Sequence, residues 1–116
     1  MESHSLIHLL QSVTQSQMRF DGDTIDDSVT TLIDGLAQTE YNAYIKKTDK
    51  SKQVLLAFTD ACLAGYLISK NKVEINGDKK IQIYKKIAEQ NDLKDFPNIE
   101  FFLGSCMMSG SSAAKN

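Results

Sequence analysis

An all-α fold is predicted by two features of the sequence. Apolar residues recur at three- and four-residue intervals along most of the chain. The stretch VLLAFTDACLAGYLI at 54–68 is apolar nearly all round, broken by one charge, Asp60. A helix of that kind belongs at the centre of a bundle, and its fifteen residues fall short of the roughly 20 needed to cross a bilayer. The expectation is a four- to five-helix bundle packed around a central apolar helix at about 51–70. A chain of 116 residues fits one domain that buries roughly 65% of its unfolded surface without a disulfide or metal staple. We place that domain at 1–108 and a disordered tail, SGSSAAKN, at 109–116.

The first helix is predicted from SHSLIHLLQSVTQSQMRF, where Leu6, Leu9, Leu10 and Val13 share a face and Ser3 or Ser5 can cap the start. FDGDTIDDS then supplies a turn and a helix start, with Thr24 and Asp27 as an acidic variant of the capping box. Ile25, Val29, Leu32, Ile33, Leu36, Ala43 and Tyr44 stay in phase past Gly35, so the second helix is expected over about 24–46. After the polar connection KKTDKSK, Asp49 or Ser51 caps the third helix, which runs to about Lys70.

The next segment reads two ways. Val73, Ile75, Ile81 and Ile83 alternate around Asn76-Gly77 as a short hairpin would. Tyr84, Ile87 and Ala88 instead fit helical spacing after an Asp78 cap, and we favour a loop with a fourth helix at 79–91. The lone Pro97 stands near the first turn of a last helix carrying Ile99, Phe101, Phe102, Leu103 and Met107.

The residues exclude several chemistries. Cys62 projects between Leu55, Phe58 and Tyr66 with no cation on its face, so it reads as an inert core thiol, while Cys106 in LGSCMM reads as the more exposed and more reactive one. His4 and His8 share a helical face but lack the further ligands a zinc site wants. DGDTIDD opens like a calcium loop, yet its sixth position is Asp26 where glycine is needed and its twelfth is Leu32 where a glutamate is needed. No phosphate-cradling loop, nucleophile elbow or HExxH is present. No catalytic, cofactor or metal residue is therefore assigned. A perturbed carboxyl or thiol at Asp60 or Cys106, set in a pocket, would instead point to an enzyme without a recognisable motif, and a sizeable apolar cavity beside the third helix to a helical ligand carrier.

Charge is segregated. Between Phe20 and Ile45 stand Asp21, Asp23, Asp26, Asp27, Asp34 and Glu40 with no Lys or Arg, whereas 70–86 holds six lysines against Glu74 and Asp78. Arg19 is the only arginine and the net charge is −2, which argues against nucleic acid as a partner. The third helix adds two faces that want cover. Ala57, Ala61, Ala64 and Gly65 form a small-residue seam that admits another helix closely, and Leu56, Leu63 and Leu67 form a strip between the polar lines Lys52-Thr59 and Gln53-Asp60. Neighbouring helices of the chain, a second copy or another protein can supply that cover.

In size, acidity, low arginine content and helical build, the chain resembles the small regulatory proteins that bacteria pair with secreted effectors. Such proteins act as cognate inhibitors or chaperones, including inhibitors of ubiquitin-modifying effector enzymes. The resemblance implies a protein-binding regulator. The expected contact residues are Asp26, Asp27, Asp34 and Glu40 on the second helix, Leu56, Leu63 and Leu67 on the third, and Phe101, Phe102 and Met107 near the C-terminus. A homodimer is one form this could take. MESHSLIHLLQS lacks the features of a signal peptide, so a cytoplasmic location with reduced cysteines is expected.

Overall fold

Five helices form one bundle in the computed structural model, which describes residues 3–14, 25–44 and 49–115, the first three of them by backbone alone: α1 (Ser3–Thr14), α2 (Asp27–Tyr44), α3 (Ser51–Lys70), α4 (Gly77–Gln90) and α5 (Ile99–Ala114). The expected all-α bundle with a central third helix is what is found. No strand occurs among the described residues. The expected roles of Asp21, Asp23 and Thr24, and the side chains of Ser3, His4 and Ser5, lie outside the described residues.

Each helix is built on the apolar spacing that predicts it. In α1, Leu6, Ile7, Leu9, Leu10 and Val13 are buried while His8 faces solvent. Asp26 caps α2, accepting from the Val29 amide at 3.1 Å and from the Ser28 hydroxyl at 2.7 Å. The helix passes through Gly35 without a break, because that glycine is exposed and its surroundings are open. Lys50 precedes α3 with no side-chain cap, so packing rather than capping holds its start. Lys50 Nζ reaches the Asp92 carbonyl at 2.7 Å and its carboxylate at 3.2 Å, tying the start of α3 to the end of α4.

Asn76 caps α4, its side chain accepting from the Lys79 amide at 2.9 Å, two residues earlier than the expected Asp78. This also settles the hairpin alternative. A two-residue Asn-Gly hairpin turn needs positive φ at both residues, but Asn76 has φ −81° and ψ 176° and Gly77 is helical with negative φ.

Two helices end in the same way. After α3, the Val73 amide donates to the Ile68 carbonyl at 3.0 Å and Lys72 to Ser69 at 3.2 Å, with Lys72 at φ 55°. After α4, Leu93 donates to Ala88 at 2.7 Å and Asp92 to Glu89 at 3.2 Å, with Asp92 at φ 57°. Both are Schellman ends with a non-glycine residue at the left-handed position. The residue that follows returns the chain to the bundle, Leu93 fully and Val73 in part.

The core is the pairing of α3 with α5. Eleven residues of α3 are buried, from Val54 to Ile68. Its small-residue seam is covered by α5: a Cβ on Gly65 would overlap the Met107 backbone, and one on Gly110 would overlap the Cys62 carbonyl. Phe58 meets Phe102, Cys62 meets Cys106 and Tyr66 meets Gly110, so the two helices run in the same direction. The expected tail is thereby corrected. Residues 109–114 continue α5, with Gly110 buried, the Ser109 hydroxyl donating to Glu40 Oε1 at 2.6 Å and the Ser111 hydroxyl donating to the Gly65 carbonyl at 3.1 Å. Small residues that suggest a flexible tail here let two backbones touch.

The remaining helices flank this pair. α2 packs on α3 and α5, α4 packs on α3, α5 and α1, and α2 touches neither α4 nor α1. Lys79 Nζ donates to the Thr14 carbonyl at 2.8 Å, joining the start of α4 to the end of α1.

Candidate protein-binding surface

α2 gives least of itself to the interior. Of its eighteen residues only Ile33 and Ala37 are buried. Asp26, Asp27 and Asp34 are exposed, and no Lys or Arg lies in 25–44. The Ser28 hydroxyl and the Val29 amide bonded to Asp26 hold its carboxyl below the usual range, so it stays ionised. Glu40 is half-buried and fixed by Ser109, which makes it part of the α2–α5 contact as well as of the acidic face.

At the end of α2 an aromatic ledge continues this surface. Tyr44 lies 5.0 Å from Phe102 and 6.4 Å, edge-on, from Phe101, ring centre to ring centre. Phe102 in turn meets the buried Phe58 at 6.3 Å, so the ledge is anchored to the core. Phe101 is 66% exposed and Met108, two turns along α5, is 73% exposed. The Tyr44 hydroxyl, 3.4 Å from Ser105 Oγ, bridges α2 and α5 between them.

Beside the other end of α2 runs a surface groove of about 430 Å³ between α2 and α3, floored by Ile33, Leu55 and Leu63 and rimmed by Asp34 and the half-exposed Leu56. A second cleft of about 420 Å³ lies between α4 and α5, lined by Lys85, Ala88, Lys94 and Ile99 among others. Charge follows the same division. Lys80, Lys85 and Lys86 are exposed on α4, which has the α3–α5 pair between it and acidic α2.

Several expected contact residues are not available at the surface. Leu63 and Leu67 are each 2% exposed, covered within the chain by the helices packed on α3, so the leucine strip is reduced to Leu56. Met107 is buried against Gly65 across the α3–α5 contact, and Met108 takes the exposed position expected of it. Cys106, expected to be the reactive thiol, is fully buried beside Cys62. What the structure does bring together is Glu40, Phe101 and Phe102 on one side of the molecule, with Asp26, Asp27, Asp34 and Leu56 further along the same side. The sequence signal for Met108 was available: 101, 105, 108 and 112 make one helical line, visible once α5 is read through to residue 114.

Among the described residues Asp60 is the one carboxyl whose pKa is raised. It is buried between α3 and the end of α4, where one oxygen accepts from Asn91 Nδ2 at 3.1 Å and the other has no partner among the described residues. Burial pushes its pKa up to about 6, partly countered by the Asn91 bond. Asp60 is not among the residues that line either of the two clefts described above. Among the described residues no three His, Cys, Asp or Glu side chains gather as metal ligands, and no helix is long and apolar enough to cross a membrane. No known protein family, characterised protein or solved structure matches the chain.

Proposed function

We propose that this chain is a protein-binding regulator, an inhibitor or chaperone of an enzyme or secreted effector acting in the cytoplasm, and that its partner docks on α2 and the adjoining aromatic ledge. One observation carries this reading. α2 buries only Ile33 and Ala37, and what it leaves outside carries Asp27 and Asp34 with no Lys or Arg over 25–44, while its last residue, Tyr44, meets the exposed Phe101. Capping needs one or two acids in the first turn; Asp34 lies beyond the reach of the helix terminus. Rigid aromatic anchors next to polar, charged rims are the composition of protein interfaces. A partner with a basic patch fits such a surface, and complementary charge raises its association rate. A second copy is the alternative occupant of the apolar ledge, with a homodimer as the result.

The test uses a partner captured from the native host and then purified. Asp34→Lys is the charge variant of choice, because a change at Glu40 also removes the Ser109 bond. Slower association at low salt with dissociation nearly unchanged is expected, the difference shrinking as salt is raised. Phe101→Ala is expected to speed dissociation. If both variants bind with wild-type rates while Lys80→Glu on the opposite side weakens binding, α2 is not the docking face. Light scattering distinguishes a homodimer, at twice the 12.9 kDa chain mass, from a monomer that binds only the other protein.

A further inference from the structure

We infer that Cys62 and Cys106 are a latent disulfide site, an oxidant-sensitive lock across the central helix pair. The geometry comes from the two glycine contacts. Ordinary packed helices stand 8–10 Å apart, axis to axis, and a disulfide needs Cα atoms roughly 4.4–6.8 Å apart. Where Gly110 lies on the Cys62 carbonyl and Gly65 on the Met107 backbone, no Cβ holds α3 away from α5. Cys62 and Cys106 sit at that closest approach. Each is four residues beyond a phenylalanine, Phe58 and Phe102, whose rings already face one another at 6.3 Å. The two thiols are neighbours across the contact, and both are free and buried.

The neighbouring Cys62 thiol, together with burial, holds the Cys106 thiol well above its usual range. Thiolate is therefore scarce while the helices are closed, and the pair stays reduced under ordinary conditions. The oxidant that fits is hydrogen peroxide, small enough to enter during a brief opening of the contact. A thiolate at either cysteine attacks one peroxide oxygen, the O–O bond breaks, and a sulfenic acid and water result. The second sulfur then attacks the sulfenic sulfur, forms the S–S bond and releases the oxygen as a second water. Two thiols lose two electrons and two protons in total, and one peroxide becomes two waters. The neighbouring thiol captures the sulfenic acid before further oxidation because it already touches it.

The experiment exposes the full-length native chain to hydrogen peroxide, quenches with an alkylating agent and maps the peptides by mass spectrometry without reduction. Fragment-ion readout separates cysteine chemistry from oxidation of the exposed Met108, which lies on the same peptide as Cys106. The expected product is a monomer with a Cys62–Cys106 cross-linked peptide, roughly 2 Da lighter at those peptides than the reduced pair. Closing a loop from 62 to 106 is expected to raise the thermal midpoint by roughly 10 °C, reversed by dithiothreitol. Sulfinic or sulfonic acid at either cysteine, disulfide-linked dimers, or thiols that stay reduced in the folded chain while the urea-unfolded chain oxidises would each overturn the inference. So would a cross-linked product with a lowered midpoint. Cys62→Ser and Cys106→Ser should each abolish the cross-linked peptide.

Discussion

Replacing Asp60 by asparagine tests the energetic consequence of a carboxyl buried in an otherwise apolar helix. The carboxyl has an ordinary pKa of 3.8 and is pushed up to about 6 by burial, with Asn91 bonded to one of its oxygens. The folded chain thus holds this proton more tightly than the unfolded chain. Between those two values the folded state binds more protons, so Asp60's contribution to stability is highest below pH 3.8 and declines as pH rises through about 6. The full change corresponds to about 3 kcal/mol. Asparagine has the same shape and never ionises; its carbonyl can accept from Asn91, leaving its NH2 group where protonated Asp60 leaves its hydroxyl. Urea unfolding of both proteins at intervals from about pH 4 to pH 8 isolates the effect, because every other titrating group cancels in the difference. The stability of Asp60→Asn relative to wild type should rise by about 2–3 kcal/mol across that range, with equal m-values. A flat difference, or one that moves the other way, would mean that the ionised carboxylate is well satisfied in the folded chain and that the burial argument is wrong.

Three glycine positions separate open space from backbone contact. Gly35→Ala on exposed α2 should stabilise by roughly 0.5–1 kcal/mol, since alanine is the better helix residue and nothing lies within 4 Å of the new methyl. Gly65→Ala and Gly110→Ala should each cost about 3 kcal/mol or more, because the methyl meets backbone that cannot give way; thermal melts of the three variants check the ordering. At the end of α3, Lys72→Gly should gain roughly 0.5–1 kcal/mol by relieving the left-handed conformation at φ 55°, while Lys72→Ala, which removes only the side chain's charge and length, should not.

The bundle was legible because its signals are local and redundant. Val54 through Ile68 announce a buried helix, and the phase of Leu6, Leu9, Leu10 and Val13 is that of a single buried stripe. Boundaries were less so: Asn76 and Asp78 are both good caps, and the choice fell to Asn76 through the packing of Ile83 and Ile87. The errors concern which residues face one another, which no single helix records. Gly110 and its flanking serines look like a tail until the seam of α3 is laid against them, and Cys106 looks exposed only if α5 stops early. Leu63 and Leu67 form a strip on an isolated helix and vanish beneath its neighbours in the bundle. Asp60 was visible as the one charge in its run, but the burial that alters its chemistry depends on the end of α4 closing over it. The absence of basic residues along α2 needs no tertiary information to be seen, but which of its acids stay outside does: Asp26, Asp27 and Asp34 are exposed, whereas Glu40 is half-buried against Ser109.

The uneven anchoring of the helices also orders their stability. α3 and α5 share backbone contact, so their amides open only when the whole molecule does, whereas α2 is secured chiefly by Ile33, Ala37 and the aromatic ledge. It is the helix that can detach and reclose as a separate cooperative unit at a free energy below that of global unfolding. A partner that grips α2 therefore acts on a helix that buries only two of its own residues. It can slow that local opening without disturbing the centre, and hydrogen exchange at the α2 amides would record its arrival while the α3–α5 pair stays silent.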